Sequence, residues 1–106
     1  MDRIFLSYAR ADENIARQVY DRLVYSRHEV WWDCVDMPNR GLTFIEEIRQ
    51  AIEASERIVV ILSGNSLSSE YVTAEWSFAL RIGKVVHPAL FEASLLDVPY
   101  ALRRYD

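Results

Sequence analysis

The run IVVIL at residues 58–62 constrains the fold more than any other stretch of this chain. Its five apolar residues do not alternate with polar ones, so the run suits a strand that is covered on both faces. It is also far shorter than the roughly 20 residues that a membrane span requires. Strands covered on both faces belong to parallel sheets with helices above and below. We therefore expect residues 57–63 to form a central strand of such a sheet.

The remainder of the chain alternates between strand and helix patterns. Further strands are predicted at residues 3–8, 29–33 and 84–90, the last interrupted by Pro88. Helices are predicted to begin after Asp12, at Thr43 and after a loop at residues 64–69. The pattern predicts an α/β, flavodoxin-like three-layer fold, with a central parallel sheet of four or five strands in the order 2-1-3-4-5. The final segment VPYALRRYD, residues 98–106, can form only a short fifth element.

Size and composition narrow the class of protein. With 106 residues the chain is one domain, 1–106, which we interpret as the front part of a longer protein or a trimmed domain. A net charge of −4 with scattered arginines argues against nucleic acid as the main partner. Cys34 is the single cysteine, and His28 and His87 lack metal-like spacing, so we expect no disulfide and no metal site. No signal peptide or membrane span is recognisable, and a cytoplasmic location fits best.

Two common nucleotide and phosphate folds are excluded by their missing motifs. The chain has three glycines and contains neither G-x-G-x-x-G nor a P-loop. A phospho-receiver domain needs acidic residues after its first strand and a phosphorylatable Asp after its third. Here those strands end in Ser7-Tyr8 and Ser63-Gly64, so the acidic residues and the Asp that phosphorylation requires are missing.

Glu75 is the residue that most suggests a functional site. It lies in a helical segment whose apolar stripe is formed by Val72, Trp76 and Ala79. Tyr71, four residues earlier, falls beside Glu75, whereas Glu70 is five residues earlier and projects elsewhere. Glu75 is thus a lone carboxylate next to an aromatic ring. The competing interpretation is an ordinary helix-edge glutamate that reaches solvent.

Four segments, in order and over nearly all of residues 3–102, resemble the boxes of the TIR (Toll/interleukin-1 receptor) domain, especially its bacterial branch. They are IFLSYARAD, WWDCVDMPNRGLTFIEEIRQAI, RIVVILSGNSLSSEYVTAEWSFAL and VVHPAL. The resemblance implies a TIR fold. It also implies one of two functions, because the family contains both enzymes that cleave NAD+ and non-catalytic adaptor modules.

The enzymes of this family share a W-x-x-x-E pattern whose glutamate is catalytic. The matching residues here are Tyr71 and Glu75, with Tyr replacing the usual Trp. The resemblance further implies substrate contacts for residues after the first two strands: Ser7, Tyr8, Arg10, Trp32 and Asp33. For Arg10 a solvated loop charge, for Trp32 a place in the core and for Asp33 a loop cap remain open alternatives. NAD+ would be the substrate, and no cofactor is implied.

The second box contains the BB loop, through which the family associates head to tail. Its residues here are Asp36, Met37, Pro38, Arg40, Gly41 and Leu42, an apolar tip with charges of both signs. We therefore expect NAD+ cleavage by self-assembled copies, joined to a sensor domain in the same or a partner chain. The expected role is that of an effector in bacterial antiphage defence or cell suicide. The alternative is a TIR–TIR interaction module without catalysis.

Overall fold

The computed structural model describes residues 3–32 and 42–91. In these ranges the strands are β1 (Arg3–Ser7), β2 (Glu29–Trp31), β3 (Arg57–Leu62) and β4 (Val85–Leu90). The helices are α1 (Glu13–Tyr25), α2 (Leu42–Ala54), α3 (Gly64–Leu67) and α4 (Glu70–Arg81), and a 3-10 turn at Arg10–Asp12 precedes α1. None of the helices in this part of the chain is long and apolar enough to cross a membrane.

The four strands form one parallel sheet in the order β2-β1-β3-β4. β1 lies between two partners, with Ile4 opposite Val30 on one side and opposite Arg57 on the other. This confirms the predicted parallel, flavodoxin-like sheet and the order of its first four strands. The predicted fifth element, at residues 98–106, lies outside the described residues.

The central strand β3 is covered on both faces, as its sequence predicts. Ile58, Val60 and Leu62 pack with α2 and α4 on one face. Val59 and Ile61 pack with α1 on the other. The alternation follows from strand geometry, in which successive side chains point to opposite faces. The helices therefore form the two outer layers of a three-layer domain.

Three local predictions differ from the structure. The predicted loop at residues 64–69 contains the short helix α3, because Ser63 and Ser66 cap each other reciprocally: Ser63 Oγ accepts from the Ser66 N–H, and the Ser63 N–H donates to Ser66 Oγ. α2 begins at Leu42 and not at Thr43. β4 continues through Pro88, since proline fits strand geometry and removes only its own N–H donor.

The chain turns sharply between α4 and β4 at Gly83. Its φ of +82° lies in the left-handed region, which glycine adopts without a steric penalty. The Gly83 N–H donates to the Leu80 carbonyl, and the Lys84 N–H donates to the Ala79 carbonyl. These two bonds form a Schellman motif that ends the helix and directs the chain into the sheet.

Candidate functional site

Ser7 and Glu75 meet at the carboxyl end of β1. Ser7 lies two residues after Phe5, so its side chain points to the same face of the sheet, the one covered by α2 and α4. Its Oγ donates a hydrogen bond of 2.6 Å to Oε1 of Glu75. Both residues are buried, with 1% and 7% of their surface exposed. The contact places a carboxylate where parallel α/β sheets bind ligands.

The start of α4 sets the direction of Glu75. Ser69 occupies the N-cap, and its Oγ accepts a hydrogen bond of 3.2 Å from the N–H of Val72. Val72 and Ala79 then point into the core. Glu75 lies on the same helix beside that buried stripe, so the register imposed by the cap and the core turns its carboxylate towards β1.

A pocket of about 370 Å³ lies between α2 and α4, and Glu75 is part of its lining. Its volume falls near the lower end of the range typical of ligand sites. Tyr71 is exposed by 58% in the same lining, one helical turn before Glu75. The remaining lining residues are Ile48, Arg49, Ile52, Glu70, Ala74, Ser77, Phe78 and Arg81. The pocket therefore combines apolar walls with a few charged groups.

Two arginines of this pocket were not predicted from the sequence. Arg49 on α2 places its guanidinium carbon 5.4 Å from the centre of the Phe78 ring. Arg81 lies on α4, three residues after Phe78. The spacing Glu75, Phe78, Arg81 was a usable sequence signal, because residues three apart share a helix face. No comparable signal existed for Arg49, whose aromatic neighbour belongs to another helix.

Asp12 has a role different from the predicted one. It precedes α1, but its side chain makes no capping hydrogen bond. Instead its two carboxylate oxygens accept from Ser63 Oγ at 2.5 Å and from Asn65 Nδ2 at 2.9 Å. Asp12 is 5% exposed, and both partners follow β3. The carboxylate thus ties the segment after β1 to the segment after β3.

The structure brings together only some of the predicted substrate contacts. Ser7 contacts Glu75, and Glu75 and Tyr71 line the same pocket. Tyr8 and Trp32 belong to the hydrophobic cluster on the α1 face of the sheet, where the Trp32 ring stacks on Tyr20 at 4.7 Å. Arg10 is exposed in the 3-10 turn and does not line the pocket between α2 and α4.

The rest of the predicted site lies outside the described residues. This holds for Asp33 and for the BB-loop residues Asp36, Met37, Pro38, Arg40 and Gly41. Leu42 of the same loop is the first residue of α2. Substrate contact by Asp33 and self-association through the BB loop therefore remain predictions.

Chemically, the described pocket offers charge stabilisation and stacking. Glu75 can stabilise a developing positive charge, and the Tyr71 ring can stack on a planar group. Arg49 and Arg81 can bind an anion. This set of groups suits a ligand that has a ring, a cationic centre and an anionic part.

Comparison with known proteins agrees with this fold. The TIR domain of the Toll-related receptor TRR-2 from Hydra magnipapillata superposes with a TM-score of 0.80 at 21% identity, covering 97% of this chain and 79% of that one. The TIR domains of the activated Roq1 resistosome, which directly recognises the pathogen effector XopQ, give 0.73 at 22% identity. In that case 89% of this chain matches 60% of the other.

No curated protein matches the sequence. The family model of the TIR domain, in contrast, matches residues 4–105, almost the whole chain. The four boxes recognised in the sequence and the parallel sheet in the order β2-β1-β3-β4 agree with that match. The chain belongs to the TIR domain family.

Proposed function

We propose that this TIR domain cleaves NAD+ between nicotinamide and ribose, and that it does so when several copies have assembled. The setting of Glu75 is the observation that carries the proposal. Its carboxylate is buried and bonded to Ser7, yet it contributes to the lining of an accessible pocket together with Tyr71. A glutamate with a purely structural role has no need of a pocket, and a solvated one would not be buried.

The chemistry of NAD+ explains why one carboxylate can suffice. Cleavage breaks the bond between the nicotinamide nitrogen and C1′ of the ribose, and the electron pair leaves with nicotinamide, which becomes neutral. No general acid is required for this step. The ribose becomes oxocarbenium-like, and a nearby carboxylate stabilises that positive charge. In this proposal the Ser7 hydroxyl positions the Glu75 carboxylate beneath the ribose.

The second half of the reaction decides the product. A hydroxyl or ring nitrogen forms the new bond to C1′. Water supplies a hydroxyl, loses its proton to solvent and gives ADP-ribose. A nucleophile of the same molecule gives a cyclic isomer. In both cases we propose that Tyr71 holds the nicotinamide ring by stacking before it leaves.

Assembly is the second part of the proposal. The pocket between α2 and α4 opens to solvent, so a neighbouring copy can complete it. TIR domains occur together in the activated Roq1 resistosome, and this chain shares the fold of those TIR domains. A head-to-tail contact through the BB loop would not close on itself and could extend as a filament. We propose a cytoplasmic effector of bacterial antiphage defence or cell suicide that a linked sensor domain brings together, as the bacterial-type sequence boxes imply.

Cleavage of an etheno-NAD+ analogue, which becomes fluorescent when nicotinamide leaves, tests the proposal. Glu75→Gln keeps the shape of the side chain but removes its charge, so we expect a loss of about 10²-fold or more. Glu53→Gln, an exposed glutamate at the end of α2, is the matched control and should keep full activity. Equal turnover by wild type and Glu75→Gln, with unchanged circular dichroism, would refute the role of Glu75.

A non-catalytic interaction module is the alternative function. It is favoured by the burial of Glu75, which is only 7% exposed and whose Oε1 is already bonded to Ser7. The same assay separates the two functions. If concentrated or artificially clustered wild-type protein releases no fluorescence while it still self-associates, the interaction module is the correct function.

A further inference from the structure

The pocket between α2 and α4 is electrically polar along its length. Near the start of α4 its lining contains Glu70, and near the end it contains Arg81. The helix rises 1.5 Å per residue, so these two positions are about 16 Å apart along its axis. Glu75 lies between them. One end of the pocket is therefore acidic and the other basic.

Arg49 strengthens the basic end. Its guanidinium carbon lies 5.4 Å from the centre of the Phe78 ring, which belongs to the turn of α4 after Glu75. A guanidinium held against an aromatic face keeps its N–H donors available at the edge of the ring plane. Within residues 3–32 and 42–91 the observed salt bridges, Arg3–Glu29 and Arg17–Glu13, do not involve Arg49.

Arg81 approaches the same place from the other helix. It lies six residues after Glu75, an axial rise of about 9 Å. Helical side chains lean towards the N-terminus, so we expect the Arg81 side chain to lie over the turn that contains Ser77 and Phe78, which line the same pocket. The two arginines therefore flank one region of the pocket. Neither forms a salt bridge with a carboxylate in the described part of the chain.

NAD+ has the same order of charges along part of its length. Its nicotinamide ring is cationic, its diphosphate is anionic, and a ribose separates the two. We propose that Arg49 and Arg81 form the diphosphate subsite of this domain, with the nicotinamide ring directed towards Tyr71 and Glu70. This inference rests on the proposed function, since it takes the ribose at Glu75 as its fixed point. The adenosine would then extend beyond the pocket.

Arg10 is the rival cation for the diphosphate. It is exposed in the turn after β1 and does not line this pocket. The C-terminus of α4 carries the negative end of the helix dipole, which by itself repels an anion. Cationic side chains must offset this effect for a diphosphate to bind there, and Arg49 and Arg81 supply two guanidinium groups. If the diphosphate binds at Arg49 and Arg81, substitution of those residues should weaken binding. If it binds at Arg10, only substitution of Arg10 should do so.

Binding of ADP, which has the diphosphate but no nicotinamide and no scissile bond, tests the subsite by calorimetry. We expect Arg49→Gln and Arg81→Gln each to weaken ADP binding about tenfold, the effect of losing one charge-assisted hydrogen bond. Arg22→Gln, an exposed arginine of α1 on the opposite face of the sheet, is the control and should bind like wild type. Circular dichroism checks that all variants are folded.

Kinetics provide the second measurement. In the two arginine variants KM for NAD+ should rise with little change in kcat, whereas cleavage of nicotinamide riboside, which lacks phosphate, should be unchanged. Unaltered ADP affinity in the Arg49→Gln/Arg81→Gln double variant, or a loss confined to Arg10→Gln, would overturn the inference. If the wild-type protein binds ADP through these arginines but never cleaves NAD+, the subsite stands and the proposed enzymatic function fails.

Discussion

Ser7 Oγ donates a hydrogen bond of 2.6 Å to Glu75 Oε1, joining two residues that are 68 positions apart in the chain. The bond connects the end of β1 to the middle of α4 across the edge of the sheet. The donor is a neutral hydroxyl, so this bond holds the carboxylate in place and adds no opposite charge. The contact therefore combines a structural link with an electrostatic function.

Ser7→Ala should lower both the stability of the domain and its catalytic rate. A hydrogen bond to a charged group contributes roughly 1.5–3 kcal/mol, so the free energy of unfolding should fall by about that amount. If Ser7 positions Glu75 in the reaction, kcat should fall about tenfold while KM changes little. Chemical denaturation and etheno-NAD+ kinetics measure the two effects. Ser68→Ala, which removes an exposed hydroxyl bonded to the Gly64 carbonyl, is the control and should change neither.

Asp12→Asn distinguishes a helix cap from a bridge between segments. Asn caps helices as well as Asp does, so the substitution would be nearly neutral if Asp12 acted as a cap. In the structure, however, Ser63 Oγ and Asn65 Nδ2 donate to different oxygens of Asp12, and an amide has an oxygen at only one of those positions and carries no charge. We expect a loss of about 1–3 kcal/mol in the free energy of unfolding. Asp21→Asn, on the exposed side of α1, should cost less than about 0.5 kcal/mol.

The double coverage of β3 can be tested with one substitution at two positions. Val60 is fully buried, whereas Val85 on β4 is 43% exposed. Val60→Ala should lower the free energy of unfolding by about 2 kcal/mol, from lost burial and the cavity left behind. Val85→Ala should lower it by less than half as much. Urea denaturation of both variants measures the difference, and equal losses would contradict the three-layer arrangement.

The strength of the β3 prediction had a physical cause. A strand covered on both faces must be apolar at every position, so the composition of IVVIL alone indicates that the strand is buried on both faces. The secondary structure after β3 was harder to predict, because the Gly, Asn and Ser residues of α3 are typical of loops. That helix depends on reciprocal bonds between Ser63 and Ser66, which composition does not reveal.

The candidate site likewise has some features that the sequence predicts and others that it does not. The pairing of Tyr71 with Glu75 follows from the helical period, so it could be predicted locally. The partners of Asp12 are 51 and 53 residues away, and Arg49 meets Phe78 across two helices. Such contacts are created by the packing of elements distant in the chain. A single sequence contains no periodic signal for them.

Substitutions of Tyr71 should separate stacking from the other roles of the side chain. Tyr71→Ala should raise KM for NAD+ by about three- to tenfold, because aromatic stacking contributes roughly 0.5–1.5 kcal/mol. Tyr71→Trp restores the residue usual in the family's enzymes and should keep or lower KM. Steady-state kinetics with both variants measure this. A Tyr71→Ala variant with wild-type KM would exclude stacking at this position.

Self-assembly should control the specific activity. We expect the activity per molecule to rise as the protein concentration increases from nanomolar to high micromolar. The total activity should therefore rise faster than linearly with concentration. Gly41→Pro and Arg40→Glu in the predicted BB loop should suppress this rise while leaving Glu75 in place. Arg22→Glu, a charge reversal on the surface of α1, should leave it unchanged. Constant activity per molecule in a sample shown by light scattering to be monomeric would contradict the prediction.

The position of β1 between β2 and β3 also determines when this domain can form. Ile4 pairs with Arg57, so the first strand must wait for the third before its second edge is covered. Closing so long a loop is slow compared with local helix formation. On the ribosome, a chain that ends at Leu62 has Ser7 but not yet Glu75. The candidate site therefore cannot form until α4 has been synthesised, and a shorter nascent fragment lacks the carboxylate that Ser7 binds.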